Sequence, residues 1–211
     1  MNRYNSSGFT MIELLVTVMV VAVVLGIGVP AFNDLISNNR MAATANDIVS
    51  QFHLARTEAI KRRANVSACP SADGATCGAG IGFESGWIVF VDCSTSAPPP
   101  LGTCGPPNLN VDAFDLVLHT HAALDPDIGG NFTDDGNLPL FISYAPTGFP
   151  RNLPGGQPFN ANFQLCDHRG NHDTGNGIAA GRWIQISPTG RPQIFRDLIY
   201  VQGGQNPLGG C

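Results

Sequence analysis

The pattern of hydrophobic and polar positions divides the chain into one unbroken apolar run near its start and a long remainder with shorter apolar groups. Between residues 11 and 29 the only plainly polar residues are Glu13 and Thr17. A helix of about 19 apolar residues spans roughly 30 Å of hydrocarbon. The run therefore predicts a membrane-spanning helix, which we place at about residues 11–31.

A cleavable secretory signal is the alternative explanation of this run. Such a signal has an apolar region of about 7 to 15 residues, and its small-residue cleavage site follows that region. Here the small-residue junction, Ser7 and Gly8, precedes the run, which favours a retained span. A carboxylate within a bilayer segment costs roughly 2.5 to 3.5 kcal/mol. Glu13 is therefore a candidate functional residue.

The helical pattern continues after Pro30. Apolar or small residues recur at spacings of three and four, at Ala45, Ile48, Phe52, Ala55 and Ala59. This spacing is typical of an amphipathic helix that packs one face on a sheet. We therefore predict one long N-terminal helix, from Thr10 to about Arg63, within an element of residues 9–63.

Beyond residue 63 the pattern changes to short β-rich segments separated by glycine- and proline-rich turns. These segments are residues 65–68, 87–91, 116–120, 140–144, 162–166, 183–187 and 193–199. Residues 187–191 separate the last two and predict a hairpin tip. The sequence thus predicts an α+β fold, in which the long N-terminal helix packs on a mostly antiparallel β-sheet domain of residues 64–211.

The charge is distributed unevenly along the chain, whose formal net charge is −5. Residues 64–150 carry nine acidic and no basic side chains, whereas residues 151–211 carry five basic and three acidic ones. A protein that binds nucleic acid through bulk charge is usually basic overall. Any nucleic-acid binding by this chain must therefore be local.

Six cysteines follow the predicted span, at Cys69, Cys77, Cys93, Cys104, Cys166 and Cys211. An even number suits disulfides in an oxidising compartment, which indicates the periplasmic side of a membrane. Six cysteines allow fifteen pairings. We favour the two sequence-local pairs, Cys69 with Cys77 and Cys93 with Cys104, which leaves Cys166 with Cys211. The alternative is that some of them are free thiols.

The motifs of common enzymes are absent from the sequence, including a nucleophile elbow, a phosphate-binding loop and a paired-histidine zinc helix. The best zinc candidates are Cys166, Asp167, His168, His172 and Asp173, with His119 and His121 elsewhere. The calcium candidates are Asp125, Asp127, Asp134 and Asp135. Solvated loop side chains explain both sets better, because the spacings do not match known ligand loops. We therefore predict no metal, no cofactor and no enzymatic activity, with a membrane-anchored periplasmic enzyme as the remaining alternative.

The N-terminal residues resemble a known leader. A short polar stretch ends in Gly8, Phe9 follows, and Glu13 is the fifth residue after the junction. This arrangement resembles the class III leader of type IV pilins and type II secretion pseudopilins. The resemblance implies a leader of residues 1–8, which a prepilin peptidase removes after Gly8 before it methylates Phe9. It also implies that Glu13 neutralises the N-terminal ammonium of a neighbouring subunit, a pairing that lowers the cost of a carboxylate in low dielectric.

Two further stretches resemble the FimT/GspH family of minor pilins and pseudopilins. They are ARTEAIKRRANVSACPS at residues 55–71 and GWIVFVD at residues 86–92. The resemblance implies a structural subunit of a type IV pilus or a type II secretion filament, and both stretches look more like the pilus members. Its expected partners are other pilin subunits, the prepilin peptidase and the inner membrane, which it crosses once with its C-terminal domain in the periplasm.

DNA is a further candidate partner. Some FimT-type minor pilins bind DNA through a GRxR motif, and GRPQ at residues 190–193 resembles its first half, with Gln193 in place of the second arginine. The resemblance predicts a local phosphate-binding face made by Arg191, Arg196 and Arg182, with Arg169 nearby. The alternative is a set of solvated arginines that discourage pairing at a strand edge.

Overall fold

The computed structural model describes residues 8–78, 80–93, 107–108, 110–113, 115–129, 133–134, 142–151 and 160–211. Two compact units divide the chain, Met1–Arg40 and Met41–Cys211. The start of the strand predicted at 140–144 lies outside the described residues, as do Cys104 and Asp135. For Asp134 only the backbone is described.

Helix α1, Met11–Arg62, is continuous and contains Pro30. This confirms the prediction of one long N-terminal helix. In the first unit its large apolar side chains are exposed, with Met11 93% and Ile27 70% accessible. The helix is long and apolar enough to cross a membrane, and its most apolar window has no surface buried within the chain. A helix that is apolar on every face needs lipid or other apolar helices around it.

In the second unit, the predicted apolar stripe of α1 is buried. The five predicted residues, Ala45, Ile48, Phe52, Ala55 and Ala59, are each no more than 1% exposed, and Met41, which was not predicted, extends the stripe. Three of these residues are alanines, whose short side chains allow a sheet to approach the helix closely. Phe52 stacks on Phe163 with ring centroids 5.4 Å apart and meets the edge of Phe83 at 6.2 Å. The stripe therefore forms one wall of the main core.

Two antiparallel sheets make up the rest of the described second unit. The first has the order β3-β2-β1-β5-β6 and the second the order β4-β7-β8-β9. The strands of the first sheet are β1 Val66–Pro70, β2 Trp87–Val91, β3 Leu116–His121, β5 Ile142–Tyr144 and β6 Pro150–Arg151. Those of the second are β4 Thr133–Asp134, β7 Ala161–Leu165, β8 Ile178–Ile186 and β9 Pro192–Asp197. Two short helices, α2 Pro126–Gly129 and α3 Leu198–Val201, and a 3-10 turn, Phe83–Ser85, complete the described elements.

The structure differs from the predicted strands at two places in the second sheet. Strand β8 begins five residues before the predicted start at Trp183, because Ala179, Ala180 and Gly181 are buried strand residues rather than a turn. The strand predicted at 193–199 ends at Asp197, and Leu198 begins helix α3. A short apolar run such as residues 198–201 has no periodicity that separates a strand from a helical turn.

Candidate functional site

The first turn of α1 is organised around Thr10. Its side-chain oxygen Oγ1 accepts a hydrogen bond from the backbone N–H of Glu13 at 3.3 Å, and its carbonyl accepts one from Leu14 at 3.2 Å. Thr10 is thus the N-cap of the helix, and Glu13 is the third residue inside it. The threonine-x-x-glutamate spacing is that of a capping box, of which the structure shows the half made by the Thr10 side chain. This spacing is visible in the sequence, although a role for Thr10 was not predicted from it. The partial positive charge at the start of a helix also stabilises the Glu13 carboxylate.

The predicted processing junction is accessible. Gly8 is exposed, and 78% of the Phe9 side chain is in contact with solvent. Glu13 is exposed as well, and no hydrogen bond or ion pair to its carboxylate is present among the residues that the structure describes. The first unit therefore presents a single acidic group on a helix surface that is otherwise apolar, apart from Thr17, from residue 11 to residue 29. Chemically, that group is suited to accept a cation from a neighbouring helix.

Two of the three predicted disulfides are confirmed. Cys69 is bonded to Cys77 and Cys166 to Cys211, with Cα atoms 5.6 Å and 5.7 Å apart. Cys93 also forms a disulfide. Its predicted partner, Cys104, lies outside the described residues.

The Cys166–Cys211 disulfide connects the segment after α3 to the end of strand β7. Beside it, the buried amide Nδ2 of Asn206 donates to Gln164 Oε1 at 2.7 Å. The Cys211 N–H donates to Asn171 Oδ1 at 2.6 Å. Gly181 lies under the bond, since a Cβ at that position would stand 2.5 Å from Cys211 Sγ. The Cys166–Cys211 disulfide, the hydrogen-bonded amides of Asn206 and Gln164, and Gly181 thus pack together. We call this cluster the closure, because it holds the C-terminal segment against the second sheet.

The structure corrects the prediction for Arg182, which does not belong to an exposed face. Its side chain is only 7% exposed, and Nη1 donates to the carbonyls of Ala179, Ala180 and Gly181. These carbonyls lie where the register between β8 and β9 is interrupted, so the guanidinium satisfies groups that the ladder leaves unpaired. Burial lowers the pKa of Arg182, and the charges of Arg169 and Arg196 lower it further.

The other three arginines also do not share one face. Two guanidinium nitrogens of Arg169 donate to the same oxygen of the buried Asp167 carboxylate, Oδ2, at 2.9 Å from Nε and 2.6 Å from Nη2. Arg191 is exposed in the turn just before β9, and Arg196 is exposed near the end of that strand. They are separated by five positions, which in extended chain is a distance of roughly 17 Å. The predicted phosphate-binding face is therefore reduced to separate exposed arginines.

The candidate metal residues have other partners. Cys166 is in a disulfide and Asp167 is paired with Arg169. Across the part of the chain that the structure describes, no group of three or more His, Cys, Asp or Glu side chains is placed to hold a metal ion.

A contact among three elements fixes the tip of the β8–β9 hairpin. Gly190 has a positive φ of 78°, and its N–H donates to Ser187 O at 2.8 Å, which confirms the predicted turn. A Cβ at Gly190 would lie 2.3 Å from the carbonyl oxygen of Gly148, in the turn between β5 and β6. The same oxygen accepts a hydrogen bond from Arg56 Nε on α1 at 3.1 Å. Helix, turn and hairpin therefore meet at one point.

Replacement of Gly190 by alanine is expected to lower the free energy of unfolding by about 3 kcal/mol, because it combines positive-φ strain with a clash against backbone. Gly177 is the matched control: its φ is 74°, but nothing lies within 4 Å of a Cβ there. Gly177→Ala is expected to cost only about 1 kcal/mol. Urea unfolding of both full-length variants in detergent measures the difference, and equal costs would contradict the proposed close contact.

The first unit is thus an apolar helix with one carboxylate in its first turn. In the second unit, the buried face of the same helix packs on antiparallel sheets. Together they define the class of pilin-like subunits. The family model described as Type II transport protein GspH matches residues 44–190, and the model of the prokaryotic N-terminal methylation motif matches residues 3–29. The chain belongs to the GspH family. It is a minor pilin or pseudopilin, a structural filament subunit with an N-terminal membrane anchor.

Two solved structures of the type IV minor pilin FimU from Pseudomonas aeruginosa are similar to this chain. The first is 18% identical, with a TM-score of 0.45, over 74% of this chain and 89% of that one. The second is 17% identical, with a TM-score of 0.44, over 73% of this chain and 91% of that one. The comparison with curated proteins gives no significant match.

Proposed function

We propose that this subunit is anchored in the inner membrane by residues 11–31, with residues 64–211 in the periplasm. The exposed apolar surface of α1 supports the first part, because that surface needs lipid before assembly. The disulfides Cys69–Cys77 and Cys166–Cys211 support the second, because such bonds persist in oxidising compartments.

We further propose that a prepilin peptidase cuts after Gly8 and methylates the new N-terminus at Phe9. Two observations support this step: the methylation motif spans residues 3–29, and both residues of the junction are exposed ahead of the helix. Because Thr10 caps the helix from within the mature segment, removal of residues 1–8 leaves that cap in place. The mature protein then begins two residues before the first helical residue, Met11.

Assembly into a type IV pilus or a type II secretion filament is the function that we assign to the processed subunit. Its mechanism is packing: the apolar half of α1 leaves lipid and buries the same surface against neighbouring helices. The observation that carries this proposal is the single exposed carboxylate, Glu13, on that surface. It supplies a counter-charge for the methylated ammonium of an adjacent subunit, and a paired charge in low dielectric is far less costly than an isolated one.

The processing step has a direct test. Intact-mass and N-terminal peptide analysis of the protein from native membranes is expected to show a chain that starts at N-methylated Phe9. Gly8→Val is expected to retain residues 1–8, while Ser7→Ala is expected to be processed normally. An intact leader on the wild-type protein would contradict the proposal and favour a permanently anchored enzyme instead.

DNA is the weaker candidate partner. Of the four arginines considered, Arg182 is buried and Arg169 is paired with Asp167. Arg191 lies just before β9, and Arg196 lies near the end of that strand. Affinity for DNA rests on several phosphate contacts made together.

A further inference from the structure

The contact at Gly148 gathers side chains from three elements into one exposed area. A Cβ at Gly148 would lie 2.8 Å from Ile60 Cδ1 on α1, and Phe149 is the next residue in the turn. Gly190 packs against the carbonyl oxygen of Gly148, and Arg191 follows Gly190 in the hairpin. Lys61 and Arg63 follow Ile60 at the end of α1. We call this area the basic patch: Ile60, Lys61, Arg63, Phe149 and Arg191, all exposed.

The patch is positive within an acidic protein. Arg56 and Arg62 lie at its margin, so that five of the eleven Lys and Arg residues occur at the end of α1 and just before strand β9. Within residues 56–63 of α1 and its end, the one acidic side chain is Glu58. Glu58 is already engaged, because it accepts hydrogen bonds from Arg62 and, at 3.2 Å, from Lys61. The hydrogen bond from Arg62 lowers the pKa of Glu58. The exposed cations Arg63 and Arg191 are thus left to face a partner.

The patch also contains apolar surface. Ile60 is 48% exposed and Phe149 is 39% exposed, although both lie next to the tightly packed Gly148. Interfaces between proteins are enriched in aromatic residues and arginine, and they combine an apolar centre with charged groups at the rim. A phosphate backbone offers no comparable partner for Ile60. The composition therefore favours a protein surface over a nucleic acid.

We propose that the basic patch docks an acidic surface on a neighbouring subunit of the same filament. The inference rests on the assembly function proposed above and adds to it a contact outside the apolar half of α1. A stretch of matching charge exists in this chain itself, since its residues 64–150 carry nine acidic and no basic side chains. Opposite charges at such a contact would orient the arriving subunit before the apolar helices pack.

Site-specific photo-crosslinking in cells tests the contact in the full-length protein. A photoreactive phenylalanine is placed at Phe149, and as a matched control at Tyr200, an aromatic residue on α3 that is also 39% exposed. We expect position 149 to form a crosslink to an acidic peptide of another pilin subunit. Position 200 is expected to give a much lower yield of this crosslink. Arg63→Glu with Arg191→Glu is expected to lower that product by about tenfold, because like charges would then face each other. Arg196→Glu, outside the patch, and Arg191→Lys are expected to leave it unchanged.

Several results would overturn the proposal: a product at position 149 with nucleic acid or lipid, equal yields at positions 149 and 200, or a yield that the charge reversal does not change. Incorporation of the unsubstituted protein into filaments is measured in the same cells. If incorporation is normal and the crosslink is absent, the docking surface is wrong and the assembly function stands. If the protein never enters filaments, both proposals fail together.

Discussion

Glu13→Gln is expected to leave the protein in the membrane but to abolish its incorporation into filaments. The cap at Thr10 accepts from the backbone N–H of residue 13 and not from its side chain, so glutamine should preserve the first turn of α1. What it removes is the negative charge that we pair with the methylated ammonium of a neighbouring subunit. An ammonium that enters a helix bundle without a counter-charge costs several kcal/mol, which is enough to prevent assembly. Sedimentation of sheared filaments, with immunodetection of membrane and filament fractions, measures both quantities.

Thr10→Ala is the matched control for this experiment. It removes the cap and retains the carboxylate, at a cost of about 1 kcal/mol in helix stability. We expect Thr10→Ala to be incorporated almost normally and Glu13→Ala to behave like Glu13→Gln. If Glu13→Gln enters filaments as well as the wild type, then Glu13 serves the helix terminus and not a contact between subunits.

Opening the Cys166–Cys211 disulfide is expected to lower the free energy of unfolding by about 4 kcal/mol. The bond joins residues separated by 45 positions, and loop-closure entropy in the unfolded chain grows with that separation. The double variant Cys166→Ala with Cys211→Ser avoids a leftover thiol. The double variant also exposes the buried hydrogen bond between Asn206 and Gln164, for which water can then compete.

The Cys69–Cys77 disulfide provides the comparison. Its sequence separation is only 8, so the corresponding double variant is expected to lose about 2.5 kcal/mol. Urea unfolding of the full-length oxidised proteins in detergent gives both values. A larger loss for the short loop than for the long one would show that local packing, and not chain entropy, dominates these bonds.

The long helix and its buried stripe were predictable because a period of three to four residues is a direct consequence of helix geometry. Phe52 and its neighbours in the stripe repeat that period without interruption, and each of the five predicted stripe residues is buried. The apolar run of residues 11–29 was equally clear, since a helix that is apolar on every face must be surrounded by lipid or by other apolar groups. Of the two confirmed disulfides, Cys69–Cys77 followed from sequence proximity, and Cys166–Cys211 was the pair left once Cys93 was assigned to Cys104.

Other features depend on contacts that a linear pattern does not contain. Arg182 carries a charge that predicts exposure, but the interrupted ladder between β8 and β9 provides three carbonyls that hold it inside. The small residues 179–181 predict a turn, whereas the closure formed by Cys211 requires a glycine in a buried strand there. Gly190 was predicted as part of a motif for binding DNA. Its contact with Gly148 gives it a structural reason that no local sequence signal reveals.

The long disulfide also bears on how the subunit matures. Strands β8 and β9 and helix α3 all lie between Cys166 and Cys211 in the sequence. In the periplasmic topology that we propose, the bond therefore cannot form until the three elements have emerged on the oxidising side of the membrane. A chain arrested within β9 would contain Cys166 without its partner and would remain accessible to thiol-disulfide exchange. Oxidation of this pair therefore reports that translocation of the second sheet is complete, and it separates finished subunits from partly exported ones.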